Sequence, residues 1–323
     1  MPVNWKKQKL WDLGMLCGFI LCGAGLLFYS KPVSAYMTQA LNLCIHVLLP
    51  SLFPFFVLSS MLVSSGVVQR LSPVLEKPFQ RLFGLPGCFS AALFLGAVGG
   101  YPVGARTAAR LYQQGLCNRE SAEKALRFCS NAGPAFLIGA VGSGLLDNPR
   151  IGVQLYVIHL VSALLIGLFH PSIKDVVKSV NCTANAREKR KGFTLFLQAV
   201  TDSLSIFWNV CAFVLFFAVI SCLLQQLPLV SVLQRLPGGG SLWYGLLSGA
   251  LELTSGTSCL ANAGLPSSQL LPALSFLCGW GGFSVHFQTI SIVQEADLSC
   301  RQYLKGKLLH GLLAALLTGI FCR

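Results

Sequence analysis

One carboxylate, Glu252, stands in an apolar run broken by glycines over residues 245–256. Burying it away from water is costly, so it must be paired, protonated or turned toward a polar cavity. A structural partner would be basic, and Arg106 is the obvious candidate. The alternative is solute chemistry, with Glu252 accepting hydrogen bonds or carrying a coupling proton. Thr254, Ser255 and Thr257 follow it, and in the first half Ser130 and Asn131 precede Gly133-Pro134. These side chains donate and accept, so they either satisfy backbone groups freed by a helix break or recognise a neutral polar solute. His286, just past Gly281-Gly282, is either a neutral hydrogen-bonding group, as His46 and His159 are in their own apolar stretches, or a proton relay with Glu252. Adding Tyr101, from another glycine-broken run, gives the candidate solute-binding set Tyr101, Arg106, Asn131, Glu252, Thr254 and His286. No ring of carboxylates of the cation-selecting kind accompanies them.

Other chemistries lack their residues. The glycine-rich stretches do not end in the Lys-Ser/Thr of a phosphate loop, and neither Gly-x-Ser-x-Gly nor His-Glu-x-x-His occurs. Thirteen cysteines include no Cys-x-x-Cys pair, and most lie in apolar stretches, where small thiols pack between helices. The expectation is a protein that is not an enzyme, with no cofactor and no metal.

The elements that position these residues follow from the solvent. Hydrophobic residues make up 54% of the chain and charged ones 11%, against about 25% charged in soluble domains. So little charge cannot cover a protein of 323 residues in water, and the lipid bilayer takes that role. At about 20 apolar residues per crossing, the runs give about seven transmembrane helices and two further, broken segments. Lys and Arg number 24 against 11 Asp and Glu. They sit in short segments between apolar runs, which is the cytoplasmic-loop bias of membrane proteins and not the gathered basic face of a nucleic-acid binder.

Lys6, Lys7 and Lys9 precede the apolar run 13–29. That pattern reads as a retained signal-anchor with a cytoplasmic amino terminus or, given Val33-Ser34-Ala35, as a cleavable signal peptide; the apolar runs downstream favour the anchor. A second span over 40–66 is kinked by Pro50 and Pro54 and is followed by Arg70, Lys77 and Arg81. Residues 87–115 are interrupted by Gly99-Gly100-Tyr101-Pro102-Val103-Gly104, which no continuous helix can cross. A re-entrant hairpin with its tip near 101–106 is predicted, since irregular backbone at membrane depth needs protein or a watery cavity around it. A discontinuous helix follows, 119–129 and 135–146 around Ser130-Asn131-Ala132-Gly133-Pro134, then a span over 151–169. The loop with Lys174, Lys178, Arg187, Lys189, Arg190 and Lys191 is the strongest cytoplasmic marker.

The second half repeats the plan. A span over 202–224 and a Pro/Gly-rich connection at 236–240 lead to a broken segment over 241–264, interrupted near 251–256. A helix over 270–278 breaks at 279–283, and a basic loop with Arg301, Lys305 and Lys307 precedes the last span. A constant offset pairs Gly96 with Gly245, Gly100 with Gly249, Gly115 with Gly264, Leu116 with Leu265, Cys129 with Cys278 and Gly133 with Gly282. Both hairpin breaks and both helix breaks fall into step, which is the mark of an internal repeat. With the basic loops cytoplasmic, the hairpins enter from opposite faces, so the repeat is inverted and a site near the midplane is expected. The expected organisation is a signal-anchor helix at 1–39, a first repeat at 40–170, a basic cytoplasmic loop at 171–192 and a second repeat at 193–323.

Certain strings carry a family resemblance: Leu49-Pro50-Ser51-Leu52-Phe53-Pro54-Phe55-Phe56, Gly100-Tyr101-Pro102-Val103-Gly104-Ala105-Arg106, and Asn131 to Pro134 with residues 136–142. Leu251-Glu252-Leu253-Thr254-Ser255-Gly256 and residues 281–288 extend it into the second half. Over about residues 40–320 the chain resembles the YlbJ-type sporulation integral membrane proteins, within the nucleoside-recognition or Gate group. That group is similar in plan to the concentrative nucleoside transporters. The resemblance implies an all-α polytopic membrane protein with two re-entrant hairpins in an inverted repeat, in the cell membrane around the forespore, with a role in spore cortex formation. Two functional readings stand. One is a transporter or permease of a small polar, nucleoside-like solute; the other is a non-transporting scaffold that binds other sporulation membrane proteins. A homo-oligomer is compatible with both.

Overall fold

The computed structural model describes residues 5–64, 67–169, 192–226 and 240–322. The basic loop expected over 171–192 and the connection at 236–240 fall almost wholly outside these limits, as do the side chains of Lys6, Lys7, Lys9 and Arg70. All regular structure among the described residues is helical. Helix α1 (Trp5–Phe28) bends by 93° into α2 (Ser30–Leu43), which continues through a π-helical turn, Cys44–Leu48, into α3 (Leu49–Ser64). The second apolar run thus turns helical at Ser30 rather than near residue 40. Pro32 does not prevent this, because it sits in the first turn, where backbone N–H groups have no helical acceptor. The amphipathic α4 (Val67–Phe83) leads to the first hairpin, α5 (Phe89–Gly99) and α6 (Val103–Gln113).

The predicted break then appears as α7 (Arg119–Ala125), irregular backbone at 130–133, and a π-helical stretch, Ala135–Leu145. Helices α8 (Pro149–Leu168) and α9 (Gly192–Gln225) lead to the second hairpin, α10 (Gly240–Leu251) and α11 (Leu253–Ala261). The second broken helix is α12 (Ser267–Trp280) and α13 (Gly282–Glu295), and α14 (Arg301–Phe321) follows. Four described stretches are long and apolar enough to cross a membrane: α8, α9, the combined Ser267–Glu295 and α14. The bent α1–α2 pair would be a fifth, and Phe89–Gly99 and Ala135–Leu145 are shorter apolar helices.

Burial is arranged for lipid. Helix α14 turns Tyr303, Lys307, His310, Gly311 and Thr318 inward while Leu308, Leu309, Leu312, Leu316 and Ile320 face out. In α8, His159 and Ser162 are buried while Val153, Val157 and Val161 are exposed. Polar groups inside and branched aliphatics outside is the arrangement a bilayer selects. This is a multi-pass integral membrane protein.

Small residues allow the close approaches. A Cβ on Gly96 or Gly104 would lie 1.8 or 1.9 Å from the Cys129 carbonyl oxygen, so the two arms of the first hairpin close on the end of the first broken helix. Gly279 and Gly311 bring α12 against α14 in the same way, as small residues do between membrane helices. The paired glycines share conformations: Gly115 and Gly264, each past the second arm of its hairpin, have φ of 71° and 64°.

Candidate functional site

Each hairpin tip rests on the helix break of its own half. At the first tip, a Cβ on Gly133 would stand 3.0 Å from the Gly100 nitrogen and 3.2 Å from the Val98 carbonyl oxygen. At the second, a Cβ on Gly282 would stand 2.8 Å from the Gly249 carbonyl oxygen and 3.1 Å from the Leu253 nitrogen. These are the residue pairs, 100 with 133 and 249 with 282, that the constant offset relates. Tyr101 joins the halves: its hydroxyl donates to the Cys278 carbonyl at 2.7 Å, and its ring lies beside Gly281. The first tip therefore touches both breaks.

Glu252 is 1% exposed. Its carboxylate accepts from the Thr254 N–H at 2.9 Å and the Ser255 N–H at 2.5 Å, which makes it the N-cap of α11. Those backbone donors have no helical acceptor, and an anion at a helix N-terminus is favoured by the helix dipole as well. The ion pair with Arg106 is not formed; the ion pairs among the described residues are those of Arg119 with Glu123 and Asp297. Arg106 lies on α6, one turn past the tip, because Pro102 at the N-cap position lets the helix resume at Val103. Thr254 sits in the first turn of α11, where its carbonyl accepts from the Thr257 hydroxyl at 2.9 Å.

Asn131 is fully buried at the first break, with Nδ2 donating to the Phe128 carbonyl at 2.8 Å. Its Oδ1 has no partner, nor does the neighbouring Ser130 hydroxyl. At the second break Trp280, which the offset pairs with Asn131, has an unpartnered indole N–H. Beside it His286 packs edge-on at 4.3 Å between centroids, with Nδ1 3.0 Å from the Tyr303 hydroxyl and Nε2 unpartnered. Four buried polar atoms without partners thus gather at the two breaks, where a hydrogen-bonding ligand could meet them. No hydrogen bond joins His286 to Glu252, and His46 is exposed.

Arg106 belongs to an adjoining cleft of about 420 Å³ between α6, α9 and α13. Arg110, Gln113, Asn209, Gln288 and Glu295 line it with Arg106, and Pro102 brings it to the first tip. Tyr101, Asn131, Glu252, Thr254 and His286 thus surround the breaks, while Arg106 lines the adjoining cleft.

The basic stretch around residue 301 holds what the sequence concealed. Lys307, expected in a cytoplasmic loop, is completely buried on α14. Its ammonium donates to the Tyr101 hydroxyl at 3.0 Å and the Ser130 carbonyl at 2.9 Å, approaches His310 Nδ1 at 3.3 Å, and lies 4.8 Å from the centre of the Tyr101 ring. His310 Nε2 in turn meets the His159 carbonyl at 2.9 Å, and His159 Nε2 accepts from the Ala132 N–H at 3.0 Å. The readable signal was the spacing of Tyr303, Lys307, His310, Ala314 and Thr318 on one helical face opposite a face of leucines.

Residues 45–174 match the family described as Nucleoside recognition. The chain is 32% identical over 316 residues to the sporulation integral membrane protein YlbJ of Bacillus subtilis (strain 168), covering 88% of this chain and 77% of that relative. Its fold is similar to that of CNTnw in an inward-facing substrate-bound state: TM-score 0.52, 15% identity, 99% of this chain and 88% of that one covered.

Proposed function

This chain belongs to the YlbJ family of sporulation integral membrane proteins, and from that premise we propose that it is a transporter or permease of a small polar, nucleoside-like solute used in spore cortex formation. The observation that carries the reading is the pair of hairpin tips seated on two helix breaks, with Ser130, Asn131, Trp280 and His286 each holding an unpartnered buried polar atom there. Tyr101, Asn131, Glu252, Thr254 and His286 form the solute site or its immediate support. Arg106 stands in the approach, where its guanidinium and the amides of Asn209 and Gln288 can meet a solute rich in acceptors. The protein sits in a membrane surrounding the forespore, amino terminus in the cytoplasm, with a signal-anchor at 1–39 and repeats at 40–170 and 193–323 on either side of the basic loop.

A scaffold of cortex assembly that keeps the fold without moving solute draws on one observation: Tyr101 and Glu252 have their polar atoms engaged internally. Uptake by proteoliposomes of a panel of nucleosides and spore solutes separates the two. The transport reading expects flux that Asn131→Ala and His286→Ala abolish. A panel without flux, together with capture of cortex-building membrane proteins, would favour the scaffold.

A further inference from the structure

A buried charge is tolerated only when its hydrogen bonds are met. An ammonium has three donors, and Lys307 aims them at the Tyr101 hydroxyl, the Ser130 carbonyl and His310 Nδ1. The histidine tautomers agree. Ala132 N–H occupies His159 Nε2, which places the His159 proton on Nδ1, and His310 Nε2 donates to the His159 carbonyl, leaving Nδ1 free to accept from Lys307. Tyr101, accepting from the ammonium, donates its own O–H to the Cys278 carbonyl. No carboxylate forms an ion pair with Lys307 among the described residues, so carbonyl and hydroxyl oxygens and one ring nitrogen solvate the charge.

Such surroundings suit a cation. Ser130 ends the first broken helix, and the unwound carbonyl ends of discontinuous membrane helices are where transporters hold sodium ions or protons. We propose that the Lys307 ammonium is a built-in cation seated where the first hairpin tip meets the first helix break, so that this junction closes without a free alkali-metal ion. The pairing spans the molecule, since one side chain of α14 fixes the tip of one half, the break of that half and, through Tyr101, the end of α12. The proposal is independent of whether a solute is moved, because it concerns only what neutralises the break.

The test reads thermal unfolding of the purified full chain in detergent at equal concentrations of sodium, potassium and choline chloride. Wild type is expected to unfold at one temperature in all three. Lys307→Ala is expected to lose on the order of 5 °C in choline, and to regain most of it in sodium or on adding ethylammonium, which supplies the missing head group. Lys307→Gln, which keeps donors without the charge, is expected to be lowered in every salt, and it replaces the alanine variant if that variant does not fold. The proposal is overturned if sodium or potassium stabilises the wild type over choline, if Lys307→Ala recovers in no cation, or if Lys307→Gln matches the wild type. Since unfolding and not uptake is measured, failure here leaves the transport reading standing, and an absence of flux leaves this one standing.

Discussion

Replacing Glu252 by Gln changes one atom in a site where both carboxylate oxygens accept backbone N–H groups, at 2.9 and 2.5 Å. The amide keeps one acceptor and turns an NH2 toward the other N–H. One donor at the start of α11 then has no acceptor in a place that water does not reach. A hydrogen bond to a charged group contributes about 1.5–3 kcal/mol. Removing a buried anion that has no ion-pair partner returns part of that loss. The net cost is about 1–2 kcal/mol, or about 2–3 °C in Tm for a chain of this size. Glu252→Ala loses both acceptors and should fall roughly twice as far. Intrinsic tryptophan fluorescence during heating in detergent reads both variants, and proteoliposome uptake reads what the loosened tip does to flux. The glutamine variant should insert normally and lose most of its uptake. Wild-type Tm in both variants would refute the capping role, and full flux in the glutamine variant would remove the residue from the site.

Other perturbations separate tip, break and cleft. Gly282→Ala should abolish uptake and lower Tm more than Glu252→Gln, because φ is +72° there and the new methyl would lie 2.8 Å from the Gly249 carbonyl oxygen. Gly96→Ala should part the first hairpin from the Cys129 carbonyl, which proteolysis of the detergent-solubilised protein would register as faster cleavage. Arg106→Ala should weaken uptake about tenfold with Tm unchanged, since it lines the cleft and makes no ion pair. Arg119→Ala should leave both unchanged: its contacts with Glu123 and Asp297 are solvent-exposed and screened.

What could be read from residue order was backbone chemistry. Glycine and proline in the middle of apolar runs announce where a helix cannot continue, so the hairpin turn at Gly100 to Pro102 and the breaks at Ser130–Gly133 and Gly281-Gly282 were legible, as was the offset relating them. Partners across the fold were not. The offset put Arg106 and Glu252 at matching tips, yet a tip of only three residues places Arg106 a turn away on α6, and α11 supplies Glu252 with its own backbone donors. Lys307 was hidden by its neighbours: Arg301 and Lys305 are exposed on the same helix, and a third cation close behind them reads as more of the same segment. Helical phase distinguishes it, because four residues after the buried Tyr303 it must face the interior, while Lys305 faces outward.

The transport reading turns on the two tips and two breaks enclosing one solute. A density map of the protein in lipid nanodiscs, soaked with a solute that the uptake panel selects, tests that directly. The account predicts density within hydrogen-bonding distance of Asn131 Oδ1 and of Trp280 Nε1 or His286 Nε2, bounded by Tyr101. Solute density confined to the outer rim of the molecule, with those atoms packed against protein, would contradict it.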